Sequence, residues 1–133
     1  MRTSCVGLML LILSNVVAGS EADSNVYPSF EIRSHDGKSP TFVFSEGYAT
    51  SKSPIVITTP GRKLTNAERQ HRVDLQKHWL SRNVPKHLEL QSRTLDECGL
   101  KRPDEIAACD HYVFVDAKSK QTIHYYIYVG NWP

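Results

Sequence analysis

The segment that most constrains the fold lies at the end of the chain. Residues 111–130, "HYVFVDAKSKQTIHYYIYVG", form two β-branched and aromatic runs around a polar turn, the pattern of an antiparallel hairpin. Pairing Asp116 with Gln121 sets Phe114 opposite Ile123 and Tyr112 opposite Tyr125, with Ile127 and Val129 continuing that face. His111, Val113, Val115, His124, Tyr126 and Tyr128 then share the other face. A one-residue slip would exchange the two faces, so the apolar set selects one register. The first face is the predicted core. The second is half polar, and the expectation is that it is partly exposed or covered by a helix.

Upstream, "SFEIRS" alternates Phe30 and Ile32 against Glu31 and Arg33, "HDGK" offers an Asp-Gly turn and "TFVFS" follows; this predicts a first hairpin. "PIVITTPG" is a third strand bounded by Pro54, Pro60 and Gly61, a composition that suits a sheet edge. In "LTNAE" Thr65 is a helix cap, and Glu68 three residues on can reach back to its amide. The helix is expected from Asn66 to Leu80, since Pro85 pushes the preceding residue out of helical geometry. Leu75 and Trp79 share its apolar side with Leu64, while Val73 and Leu80 fall on another, so it should lie on a surface. "KHLELQS" reads as a strand with Leu88 and Leu90 inward. "TLDECG" repeats the capping pattern at Thr94 and Glu97, and "PDEIAAC" carries Pro103 before two acids, so two short helical turns are expected there. Strands with one central helix and no βαβ alternation predict an α+β fold: a mainly antiparallel sheet of about five to six strands, one substantial helix and one disulfide.

The first residues bound the compartment. "MRTSCVGLMLLILSNVVAGSEADS" has one Arg, an apolar run from Val6 to Leu13 and small residues from Ala18 to Ala22, the layout of a secretory signal cleaved after Ala18, Ser20 or Ala22. Cys5 leaves with it. Residues 23–133 then form a single exported domain, secreted or periplasmic, without a second stretch of membrane-spanning length. The two remaining cysteines, Cys98 and Cys109, are expected to pair, as an even pair in an exported chain does. The absence of an Asn-x-Ser/Thr sequon leans toward a bacterial source.

Charge is placed unevenly. Residues 61–87 carry seven Lys and Arg against two acids, while residues 21–60 and 88–133 each carry two more acids than bases. The helix is therefore a basic strip able to steer an acidic partner. Binding residues are expected at Arg69, Arg72 and Lys77 on that strip, and at Tyr126, Tyr128 and Trp132, whose rings offer contact area with a polar handle.

Within "RQHRVDLQKHW", residues 69–79, His71, Asp74 and His78 share one helix edge. The two histidines lie two turns apart, roughly 10 Å by helical rise, too far to share one ion, and Arg72 and Lys77 repel a cation; no metal site and no cofactor is expected. Acid–base chemistry needs only one His with a carboxylate: if the protein is an enzyme, His124, or His111 opposite Tyr126, meets Glu89 and a helix arginine. A His on a C-terminal strand with scattered Arg and Glu is loosely similar to small secreted microbial ribonucleases; their spacings and element order differ, so no residue role is carried over. Glycine-rich phosphate loops, GxSxG, HExxH and CxxC are absent. The leading expectation is a small exported, disulfide-containing binding protein, an inhibitor or immunity-type partner of another protein with an acidic surface. A small secreted hydrolase acting on nucleic acid or glycan, and an accessory subunit of a cell-surface assembly, are the alternatives.

Overall fold

A computed structural model describes residues 25–33, 41–99 and 102–133; the expected signal segment and the expected Asp-Gly turn lie outside them. The fold is α+β, with six strands in two antiparallel sheets of three. The first sheet has order β1 (Phe30–Ile32), β2 (Phe42–Phe44), β3 (Ile57–Thr58); the second has β4 (Leu88–Glu97), β5 (Ala108–Asp116), β6 (Thr122–Tyr128). Between them a 3-10 turn, Asn66–His71, runs into the helix α1, Arg72–Asn83. No helix among the described residues is long and apolar enough to cross a membrane.

The C-terminal hairpin takes the predicted register: Phe114 faces Ile123, Tyr112 faces Tyr125 and His111 faces Tyr126. The Asp116 amide donates to Gln121 O at 2.9 Å. Apolar burial selects this register, because Tyr112, Phe114, Tyr125, Ile127 and Val129 all sit in one core cluster. Phe30 pairs with Phe44 and Ile32 with Phe42 in the first hairpin. The two sheets join where Ile55 bridges Ile127 in parallel: Ile55 N–H donates to Tyr126 O at 3.1 Å and Tyr128 N–H to Ile55 O at 2.8 Å.

The helix begins at the expected cap and runs three residues past the expected end. Glu68 accepts the Thr65 amide at 2.9 Å, and the Thr65 hydroxyl also donates to that carboxylate at 3.0 Å. Arg62 closes on the same carboxylate with two bonds of 2.6 and 2.7 Å, a bidentate pair that fixes the helix entry. Leu75, Trp79 and Leu80 pack into the core. Trp79 meets Tyr27 edge-on at 5.1 Å and Tyr125 at 6.0 Å, so its truncation leaves a cavity worth about 3–5 kcal/mol. The helix thus covers the Tyr112/Tyr125 face of the second sheet and not the His111/His124 face, against one of the two expectations for that face.

Two further expectations are corrected. The stretch from Thr94 to Glu97 is strand, not a helical turn, and residues 102–107 hold no helix. β4 pairs with β5 all the way to Glu97–Ala108, and a continuous ladder outweighs a local capping pattern worth about 1 kcal/mol. Leu90, read as inward, is 56 % exposed beside the register shift between Leu90 and Ser92, where a bulge re-aims the side chains. Cys98 and Cys109 are disulfide-bonded as expected. Together with Val56 and Tyr128 they form a small second core on the far face of the sheet.

Candidate functional site

Two polar assemblies flank the second sheet, one on each side of β5. Its alternating side chains create both: Asp110 and Tyr112 point under the helix, His111 to the opposite face.

On the helix side, Gln76 is fully buried. Its Nε2 donates to Asp110 Oδ2 at 2.7 Å, and its Oε1 accepts the Tyr112 hydroxyl. Asp110 Oδ2 also accepts Arg93 Nη2 at 3.0 Å, with Arg72 Nε at 4.0 Å. A buried carboxylate is tolerated because a guanidinium and an amide satisfy it together. Burial pushes the Tyr112 phenol up to about 12, so it stays protonated as the donor to Gln76. Above this network opens a cleft of about 520 Å³ bordered by Arg69, Arg72, Arg93, Leu95, Ile106 and Trp132, with Asp110 in its lining. Three guanidinium groups against one carboxylate make it cationic. Leu95 and Ile106, 68 % and 74 % exposed, give it an apolar rim. Gly130 is required beside it: a Cβ there would stand 1.7 Å from Ile106 O, so any side chain would force apart the strand end and the 102–107 loop.

On the other face, Asp96 of β4, His111 of β5 and His124 of β6 lie in a row across the sheet. His111 Nδ1 meets Asp96 Oδ2 at 2.5 Å, and its Nε2 meets His124 Nδ1 at 2.7 Å. The Thr94 hydroxyl donates to the same Asp96 oxygen at 3.0 Å. Tyr126 stacks flat on the His111 ring, centroids 4.2 Å apart. The His111 bond holds the Asp96 carboxyl below its ordinary range. An ionised Asp96 makes His111 Nδ1 the donor, so in the neutral ring His111 Nε2 accepts from His124 Nδ1. The row is an Asp–His–His relay that can pass a proton along the sheet.

The expected site residues divide between these places. Arg69, Arg72 and Trp132 meet at the cleft, joined by Arg93. Lys77 is exposed on the helix and does not border it. Tyr126 belongs to the histidine row. Tyr128 is fully buried against the disulfide and donates its hydroxyl to Glu105 at 2.7 Å, so it supports the fold from within. His111 and His124 are in contact, but their carboxylate is Asp96; Glu89 stands opposite Val115, near the start of β4. The helix arginines lie on the other side of the sheet. Among the described residues no group of His, Cys, Asp and Glu is arranged to hold a metal ion; His71 and His78 lie against Phe42 and Phe30 instead.

Sequence reasoning missed Arg93, Asp96, Asp110 and Gln76. Extending the strand alternation through Thr94 and Asp96 would have placed both on the face of His111; the capping pattern at Thr94 and Glu97 hid that signal. No protein-family model, curated protein or solved structure matches the chain.

Proposed function

We propose that this is an exported binding protein, of inhibitor or immunity type, whose arginine cleft engages an acidic surface of another protein. The observation that carries the reading is the cleft itself: Arg69, Arg72 and Arg93 around about 520 Å³ of space, with Leu95 and Ile106 on its rim. Arginine beside apolar contact area is the composition of a protein-binding hot spot. A nucleic-acid backbone fits less well. Asp110 lines the cleft, and the aromatic residue bordering it, Trp132, is 8 % exposed, so no ring is presented there for base stacking. The test measures binding of an acidic peptide and a single-stranded oligonucleotide of equal charge to the wild-type protein and to an Arg69→Ser/Arg72→Ser variant. The expected result is peptide preference, lost at least about tenfold in the variant; tighter oligonucleotide binding overturns the reading.

The Asp96–His111–His124 row favours a second reading, a small secreted hydrolase with His124 at the working end of the relay. In that case His124→Ala abolishes turnover of RNA or glycan by the purified protein, whereas Tyr128→Phe leaves it intact. A wild-type protein that turns over neither substrate removes this reading.

A further inference from the structure

We propose that the outer edge of β4 is a strand-addition site: an extended, acidic and apolar segment of the partner pairs with the backbone of Arg93, Leu95 and Glu97 and lays its side chains along the arginine cleft. The inference rests on the acidic-partner reading above and names how that partner is held.

Backbone alternation identifies the available groups. Cys98 N–H donates to Ala107 O at 3.2 Å, on the side of β5. Peptide groups along a strand turn alternately to its two sides. Those of Thr94 and Asp96 therefore serve the β4–β5 ladder, and those of Arg93, Leu95 and Glu97 turn outward. Among the described residues β4 pairs with β5 alone. The opposite border of this sheet is closed, because Tyr126 N–H donates to Ala49 O at 2.8 Å and Ile55 bridges Ile127. The open edge is long: β4 has ten residues, exposed from Glu89 to Leu95.

Edge strands are commonly protected by proline, lysine, short length or a bulge. Here the bulge is confined to Leu90–Ser92, and the run from Arg93 to Glu97 keeps regular register with β5 without proline or lysine. Arg93, Thr94 and Leu95 also border the arginine cleft. An added strand would gain main-chain bonds from the edge and side-chain selection from the cleft, the division of labour in β-augmentation. Charge sets its register. An acid fits beside Arg93, where Arg69 and Arg72 stand near; at the other end Glu97 repels one.

A second copy of the chain is the competing occupant. A two-fold centred on Arg93 opposes Glu89 and Glu97, and like charges directly opposed destabilise a strand pair. One centred on Leu95 sets Arg93 against Glu97, but brings a single acid to a cleft of three guanidinium groups; the self-association arm of the test separates it.

The probe is an acetylated, amidated heptapeptide of valine and threonine with glutamates at one end only, so that acid meets Arg93 and none meets Glu97, titrated into the full mature protein. Amide exchange at Arg93, Leu95 and Glu97 should slow on binding. N-methylation of alternate peptide amides should cost at least about tenfold in affinity in one frame and little in the other, because only one set faces the edge. Leu95→Pro removes an outward N–H that the β4–β5 ladder does not use and should abolish binding with the melting temperature nearly unchanged. Should that variant unfold, the methylated peptides decide alone. Equal affinity of both methylated frames, no binding at about 1 mM, or protection of the three amides by self-association without peptide would each overturn the proposal. If methylation has no effect while Arg69→Ser/Arg72→Ser removes binding, strand addition falls and the acidic-partner reading stands. If a lysine–valine peptide binds as well as the acidic one, the acidic-partner reading falls with it.

Discussion

Glu68 joins the helix entry to the preceding loop through four contacts: two to Arg62, one to the Thr65 amide and one to the Thr65 hydroxyl. Only 5 % of the residue is exposed, and the Arg62 bonds hold its carboxyl down from 4.5 to about 2. Fully counted, a shift of that size is worth about 3 kcal/mol. The Arg62 side chain is 44 % exposed, so solvent screening reduces this to about 2 kcal/mol. The isosteric Glu68→Gln keeps an acceptor for the Thr65 amide and removes the charge. Its expected cost is about 2 kcal/mol, or about 8 °C in Tm for a domain of this length. The sign of the pH dependence follows from the depressed value. The folded state binds fewer protons at Glu68 than the unfolded state, so the contribution is complete above the unfolded value near 4.5 and is lost as pH falls toward 2. Asp96 and Asp116 are also held low, but they are common to both proteins and cancel in the difference. The assay is urea unfolding of wild type and Glu68→Gln at intervals from pH 7 to the acid limit. A stability difference that stays constant through that range, or never exceeds about 0.5 kcal/mol, refutes the reasoning.

Reducing the Cys98–Cys109 disulfide, or replacing both residues by Ala, should cost about 3 kcal/mol on the chain-entropy account of a loop this short, read as a drop in the urea midpoint; the small core around Tyr128 should loosen with it. Gly130→Ala should destabilise by more than a typical surface substitution, because its new methyl meets the Ile106 carbonyl; a Tm within about 2 °C of wild type would mean the loop yields freely. Asp110→Ala leaves Gln76 Nε2 and Arg93 without their buried acceptor and should cost about 3 kcal/mol in thermal or urea unfolding.

Legibility followed the range of the interactions involved. The C-terminal hairpin was readable residue by residue, because two apolar alternations separated by one turn admit a single register that buries them. The helix start at Thr65 and Glu68 was readable for a similar reason: a capping box acts over three residues. The same local rule misled at Thr94 and Glu97, where a ladder to residues 108–111 overrode it. The cleft was half legible. Arg69, Arg72 and Trp132 stood out as basic or aromatic, whereas Arg93 and Asp110 enter through two paired strands, β4 and β5, whose extents the sequence left open.

The sequence by itself therefore determined the α+β class, the disulfide pair, the C-terminal register and the basic character of the helix, all of which follow from local pattern and short-range spacing. Tertiary structure alone decided which side of β5 the helix covers. That choice set Asp110 beneath the arginines and aligned Asp96, His111 and His124 on the opposite face. Such long-range pairings depend on which apolar face gains most from burial, a sum over the whole core that no window of the sequence contains.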